Sequence, residues 1–309
     1  MTELALATFE TDLDGALGLA GRALLWTETH QRPLLASASL TADALALGCW
    51  QREDTLRGRS GARFDRRVVR RRTSGTEAQL EGAVLYHAFA LPSVDALFSD
   101  AKARTLLNRN LRAVLRGYAA VGVPFRYFGT EVLAVLGHPV ALVGYDQLES
   151  GAVLIELLIG LENPCVVRPA LRREPPSALY PLLRQAPPAH EFLRSAVSGI
   201  VERLGATPVD VAAALPLAPA AQAPLPSAAV GASVTVPLGV VEAVVAPDVR
   251  ITGDLLVGSA ALRSFEQRAS RGLSDGETPD RAWLSVFDDA PLDGARAPDL
   301  LQALLLASK

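Results

Sequence analysis

Residues 211–241 contain no Asp, Glu, Lys or Arg, and an apolar stretch of about 20 residues is long enough to cross a bilayer as a helix. Pro216, Pro219, Pro224, Pro226 and Pro237 forbid that helix, because each lacks an N–H donor and collides with the preceding turn. Alternating alanine and proline predict an extended, semi-stiff connector instead. The chain must then bury its apolar residues in two parts. The expected boundaries are a larger domain at 1–205, a linker at 206–227 and a smaller domain at 228–309.

The chain's 309 residues exceed what one core usually organises. Half of them are apolar and a fifth are charged, enough for a packed interior and too little charge for a disordered protein. Cys49 and Cys165 belong to no C-x-x-C or Cys/His cluster, which argues against a disulfide framework or structural zinc, and no resident metal is expected. The N-terminus lacks a basic segment followed by an apolar run, so a cytoplasmic location with no membrane association is expected. Net charge is -3 and no nucleic-acid-binding motif is visible, which argues against nucleic acid as a partner.

Leu13, Ala16, Leu17, Ala20 and Leu24 recur at helical spacing, with Thr11 or Asp12 as N-cap. Apolar runs predict strands over 44–50, 66–72, 83–91, 125–128, 132–136, 140–145 and 152–161, with a hairpin turn at Gly137-His138-Pro139. Helices are expected over 93–120 and 190–204. After the linker, strands over 233–245 and 248–252 and helices over 260–270 and 297–305 predict a small α+β unit. Strands clustered between a few helices, rather than alternating with them, place the whole chain in the α+β class. Trp26, Trp50, Trp283 and His87 are expected in the core, and Gly253-Asp254 in a turn.

The residues that carry chemistry centre on arginine. Of 30 basic residues only Lys102 and Lys309 are lysine, leaving 28 arginines, and Arg57, Arg59, Arg63, Arg66, Arg67, Arg70, Arg71 and Arg72 crowd one short stretch against the single acid Asp65. The last three run into Thr73-Ser74-Gly75, a turn whose hydroxyls and backbone N–H groups suit a phosphate or carboxylate that guanidiniums can grip with paired hydrogen bonds. Strand alternation places Arg70 and Arg72 on one face and Arg71 on the other.

This segment resembles the arginine-arginine-x-serine-glycine-glycine signature of the biotin and lipoate protein ligase superfamily, and of lipoate-protein ligase A within it. Gly48-Cys49-Trp50-Gln51, Gly82-Ala83-Val84-Leu85-Tyr86, Asn110-Leu111-Arg112-Ala113-Val114-Leu115 and Gly129-Thr130-Glu131-Val132-Leu133-Ala134-Val135 resemble further family segments in the same order. Val249-Arg250-Ile251-Thr252-Gly253-Asp254-Leu255-Leu256 resembles a stretch of its accessory domain. The resemblance implies a mixed-sheet ligase-like catalytic domain plus a small accessory domain. It also implies ATP-dependent activation of lipoate to lipoyl-adenylate, with magnesium as a candidate companion of ATP, and transfer to a lysine of a lipoyl domain or of the glycine-cleavage H protein. Arg70, Arg71, Arg72, Thr73, Ser74, Gly75, Gln51 and Gly129 would then bind substrate.

Where the family carries glycine-x-lysine, this chain has Gly137-His138-Pro139, and Glu77 follows the turn where glycines are usual. Lys102 and His138 are the candidate replacements for the lysine. Cys165 is a candidate acyl-transfer nucleophile, by resemblance to octanoyltransferases. Three readings therefore stand at this level: a complete ligase; a catalytically impaired descendant that binds an acyl group, a nucleotide or a lipoyl domain; and a cysteine-dependent octanoyl or lipoyl transferase.

Overall fold

The computed structural model describes residues 3–57, 63–167, 174–217, 231–245, 247–288, 290, 292–293 and 295–308. In chain order the elements are β1 Glu3–Glu10, α1 Leu13–His30, β2 Leu34–Leu47, α2 Glu53–Arg57, β3 Arg67–Arg70, β4 Ala78–Leu91, α3 Leu106–Ala120, β5 Arg126–Tyr127, β6 Val132–Val135, β7 His138–Gln147, β8 Val153–Gly160, α4 Ala189–Leu204, β9 Thr207–Asp210, β10 Ala232–Val236, β11 Gly239–Val244, β12 Arg250–Gly253, β13 Leu256–Val257, α5 Ser259–Ser274, β14 Leu292–Asp293 and α6 Ala297–Ala307.

Nine strands build the main sheet in the order β5-β6-β7-β8-β4-β2-β1-β9, with β3 paired to β2. The pairs of β2 with β1 and β3, and of β1 with β9, are parallel, whereas those from β2 through β4 and β8 to β5 are antiparallel. The fold is thus mixed α+β. Helix α1 packs on one face, with Leu13, Leu17, Leu24, Tyr86, Leu154 and Leu158 in one core. Helices α3 and α4 cover the other, with Leu111, Tyr118, Phe192, Ile155 and Leu157. Covering both faces explains why β8 is buried at every residue, odd positions feeding one core and even positions the other.

Local chemistry sets the ends of the elements. Asp12, rather than Thr11, caps α1, its Oδ1 accepting from Gly15 N at 2.8 Å. Helix α3 starts at Leu106 rather than near residue 93, because Pro92 ends β4 and Ser93 bonds Asp95 (2.7 Å) in a local turn that competes with helix. The strand expected over 233–245 is a hairpin, β10 and β11, turning at Pro237-Leu238. Sequence reading missed β1, whose short run gave no strong period, and β2 begins ten residues before the run at 44.

A second sheet, β10-β11-β12, packs with α5 and α6 around Phe265, Trp283 and Leu300. Strand β9 falls inside the segment expected as linker, at 206–227, and the part of that segment from 218 onward lies outside the described residues. Trp283 is buried as expected, but Trp26 and Trp50 are only partly so. Among the described residues no helix is long and apolar enough to cross a membrane.

His87, wholly buried on β4, has Nδ1 at 2.8 Å from Ser37 Oγ and Nε2 at 2.6 Å from the Tyr118 hydroxyl. Burial lowers its pKa from 6.5 to about 4. The unfolded chain takes up this proton near pH 6.5 and the folded one resists it. Stability is therefore full above pH 6.5 and falls as the pH descends toward 4, by about 2–3 kcal/mol from this residue. Urea unfolding at pH 7 and 4.5 measures the drop, and a His87→Gln variant should lack this share of it.

Candidate functional site

Arg70 ends β3 and Arg71 and Arg72 follow it, at the edge of the α1 face of the sheet. With α1, Trp50, Leu148 and the β12–α5 segment they enclose a cavity of about 690 Å³. Among the described residues its walls carry six guanidiniums, Arg22, Arg70, Arg71, Arg72, Arg250 and Arg263, against two carboxylates, Asp146 and Glu266. Leu17, Gly18, Gly21 and Leu25, along one side of α1, supply an apolar wall. The volume is in the range typical of small-molecule sites, roughly 300–1,000 Å³.

Arg70 and Arg71 are each held by buried acceptors. Arg70 Nη1 donates to the carbonyls of Gly48, Cys49 and Gln51 at 2.9, 3.1 and 2.6 Å, while its buried Nη2 has no partner. Burial lowers its pKa, with Cys49 and Glu53 opposing. Arg71 is 1% exposed; Nη2 donates to Thr76 O at 2.6 Å, Nη1 lies 3.4 Å from Glu156 Oε2, and Nε has no partner. Both N–H groups are closed to solvent, so what the cavity offers an oxygen-rich anion is the positive charge of the arginines along its walls rather than these two donors. Arg72 is more exposed, with Nε 3.8 Å from Asp146 Oδ2.

Glu156 anchors this arrangement. It accepts from Tyr86 Oη at 2.6 Å and from Thr73 Oγ1, in addition to facing Arg71. Tyr86 is held protonated, its pKa raised by burial first and by Glu156 second. A lone carboxylate inside the apolar run Val153-Leu154-Ile155-Glu156-Leu157-Leu158 was the signal that could have found this residue from sequence. Arg22, Asp146, Arg250 and Arg263 gave no such signal, since they reach the cavity from elements distant in sequence.

The arginine stretch does not form one patch. Arg66 pairs with Asp43 and Glu81, Arg67 with Asp14, Arg57 with Glu53 and Arg63 with Asp65, whereas Arg59 lies outside the described residues. Strict alternation ends with β3 at Arg70, so Arg70, Arg71 and Arg72 all reach the cavity.

The Thr73-Ser74-Gly75 turn, expected as a ligand wall, does not line it. Ser74 Oγ donates to Tyr145 O at 2.6 Å and accepts from Val257 N at 3.0 Å, and Gly75 N donates to Leu255 O at 2.7 Å. Its donors are engaged by β7, β8 and the β12–β13 segment, so the turn is a joint between the main sheet and residues 255–257. Gly75 has φ +114, and its carbonyl lies 2.0 Å from where a Cβ on Gly48 would stand, which demands glycine at both positions. Gln51 also works as a joint: its Nε2 donates to Glu77 Oε2 and Asp254 Oδ1, both at 2.7 Å. Glu77 is thereby turned toward Gln51 and is absent from the cavity wall. Gly129 sits in an exposed turn with φ +78.

The three catalytic candidates are not brought together, and none lines the cavity. Lys102 is exposed at the start of a 3-10 turn, where its backbone N–H donates to Thr105 Oγ1 at 3.0 Å. His138 Nδ1 donates to Pro175 O at 3.0 Å, and Pro139 pairs with Ala134 across the hairpin. Cys165 is 1% exposed, its Sγ lies 3.4 Å from Val140 O, and burial raises its pKa to about 11. It is a packed thiol, so Cys165→Ala should change ligand binding less than about twofold, and alkylation of Cys165 should await unfolding. Cys49 does line the cavity, with a pKa raised by burial first and Asp146 second, against Arg71 and Arg70.

Both cavity carboxylates already accept hydrogen bonds. Asp146 accepts from Ser259 N, and Glu266 accepts from Ile251 N and Arg250. Among the described residues no cluster of three or more His, Cys, Asp or Glu could hold a metal ion.

The sequence matches no family model and no curated protein. Solved structures do match. A lipoate-protein ligase A bound with ATP superposes with a TM-score of 0.52 at 14% identity, covering 69% of this chain and 92% of that one. A bipartite lipoate protein ligase from Thermoplasma acidophilum, studied with its E2 lipoyl domain, gives 0.52 at 14%, over 70% and 91%. A T. acidophilum protein with bound lipoic acid gives 0.50 at 14%, over 68% and 89%.

Proposed function

Because its fold is that of the lipoate-protein ligases, we propose that this chain binds an activated acyl group, lipoate or a related acid joined to adenylate, and presents it to a lysine of a lipoyl domain or glycine-cleavage H protein. The observation that carries this reading is the cavity of about 690 Å³ in which Arg22, Arg70, Arg71, Arg72, Arg250 and Arg263 stand beside the apolar wall of α1. The guanidiniums would hold the phosphate and α1 would flank the acyl chain.

Transfer from a bound adenylate asks little more of the protein. The acceptor amine attacks the acyl carbonyl, the carbonyl–phosphate oxygen bond breaks, AMP leaves, and the amine loses its proton to solvent. Arginines aimed at the phosphate stabilise the departing charge. Making the adenylate from ATP is more demanding, and no lysine lines the cavity among the described residues. Removing one well-placed donor commonly costs about 100-fold in rate. The complete-ligase reading is favoured by one observation, the six guanidiniums, which are enough to meet several phosphates. Magnesium would have to arrive on the phosphates themselves.

Mass spectrometry of an apo lipoyl domain separates the readings. Lipoyl mass is expected with preformed lipoyl-adenylate, at a rate above the protein-free control, and little with ATP and lipoate. Equal labelling from ATP and lipoate would establish the complete ligase. No labelling, together with no saturable binding of lipoyl-adenylate, would overturn both.

A further inference from the structure

Asp146, at the end of β7, is 4% exposed and lies on the cavity wall. One oxygen, Oδ1, accepts from the backbone N–H of Ser259 at 2.9 Å. Ser259 is the first residue of α5, a 16-residue helix whose N-terminus carries partial positive charge. The other oxygen lies 3.8 Å from Arg72 Nε. A single buried carboxylate thus faces the two features of this wall that would otherwise draw an extended anion. Arg70 and Arg71, also on the cavity wall, are tied to carbonyls and to Glu156 instead.

We propose that Asp146 is the residue that sets the charge of the ligand this cavity takes, favouring a singly charged acyl phosphodiester over a nucleoside polyphosphate. The inference rests on the acyl-adenylate reading and specifies its substrate. One phosphate charge is met by Arg70 and Arg71. An additional charge on a longer phosphate chain that approaches Arg72 or the start of α5 meets the Asp146 carboxylate there. Discrimination comes from this repulsive element as much as from the attractive ones. A cavity so biased receives an acyl group already activated, in keeping with the lack of a lysine among the described residues of its walls.

The experiment is isothermal titration of the full chain with two probes, the acyl-sulfamate analogue of lipoyl-adenylate, a monoanion, and magnesium-free ATP. Asp146→Asn removes the charge and keeps an oxygen able to accept from Ser259 N–H; Asp146→Ser does the same with a hydroxyl. Both variants should bind ATP about tenfold or more tighter than the parent chain, while the sulfamate changes less than about threefold. Adding Arg72→Gln to Asp146→Asn should cancel the gain for ATP. An equal shift for both probes, or no shift in either variant, overturns the inference. Failure of the parent chain to bind the sulfamate would instead overturn the acyl-adenylate reading itself.

Discussion

Replacing Glu156 by leucine is expected to cost about 3–5 kcal/mol of stability, the usual penalty for stranding a buried charge. The carboxylate is fully buried between Leu154 and Leu158 on the α1 face of β8. It opposes Arg71 and accepts from Tyr86 and Thr73, all three themselves buried. Leucine keeps the volume but leaves a guanidinium and two hydroxyls without their acceptor, in a region where water does not replace it. The companion Arg71→Leu, Glu156→Leu variant should recover most of the loss, because removing both charges also removes the desolvation penalty. Urea unfolding of the three proteins measures this. A single-variant cost below about 1 kcal/mol would mean that Arg71 finds another partner.

Arg70→Gln is expected to lower affinity for the acyl-sulfamate analogue by about 30-fold or more, the loss typical when one partner of a desolvated charge contact is truncated. Arg70 lines the cavity and is 7% exposed, so its charge acts on a bound anion with little screening by water. Because Nη1 also ties down three carbonyls of the 48–51 turn, a melting curve must accompany the titration, so that loosened structure is not read as lost contact. Arg67→Gln is the control. It sits on the same strand, but it faces Asp14 and its side chain is about half exposed, so binding should be unchanged. Equal losses in the two variants would mean that the cavity responds to net charge alone.

Some of this molecule was written locally. Apolar spacing in 13–24 and 190–204 was sufficient to place α1 and α4, since helical period and end signals are properties of neighbouring residues. The hairpin of β6 and β7 followed from two apolar runs around glycine, and the arginine-rich run pointed to the strand whose end opens onto the cavity. Pairing was less legible. Strand β1 joins β2 and β9 in parallel, and parallel partners lie far apart in sequence without a turn to announce them.

The same division runs through the site. Arg70, Arg71 and Arg72 could be nominated from the chain alone, because a dense run of guanidiniums beside a small-residue turn has few uses. Which donors remain available was decided by tertiary contacts. The Ser74-Gly75 turn had the right chemistry for an anion, yet Tyr145, Leu255 and Val257 already engage it. Gln51 likewise bridges Glu77 and Asp254 rather than facing a ligand. Composition and periodicity thus determined the class of fold and the presence of a cationic strand end. The cavity itself, with Arg22, Asp146 and Arg263 on its walls, arose only when distant elements packed together. A hydrogen-bond donor's availability depends on what stands within about 3 Å of it, and that distance is set by folding, not by order along the chain.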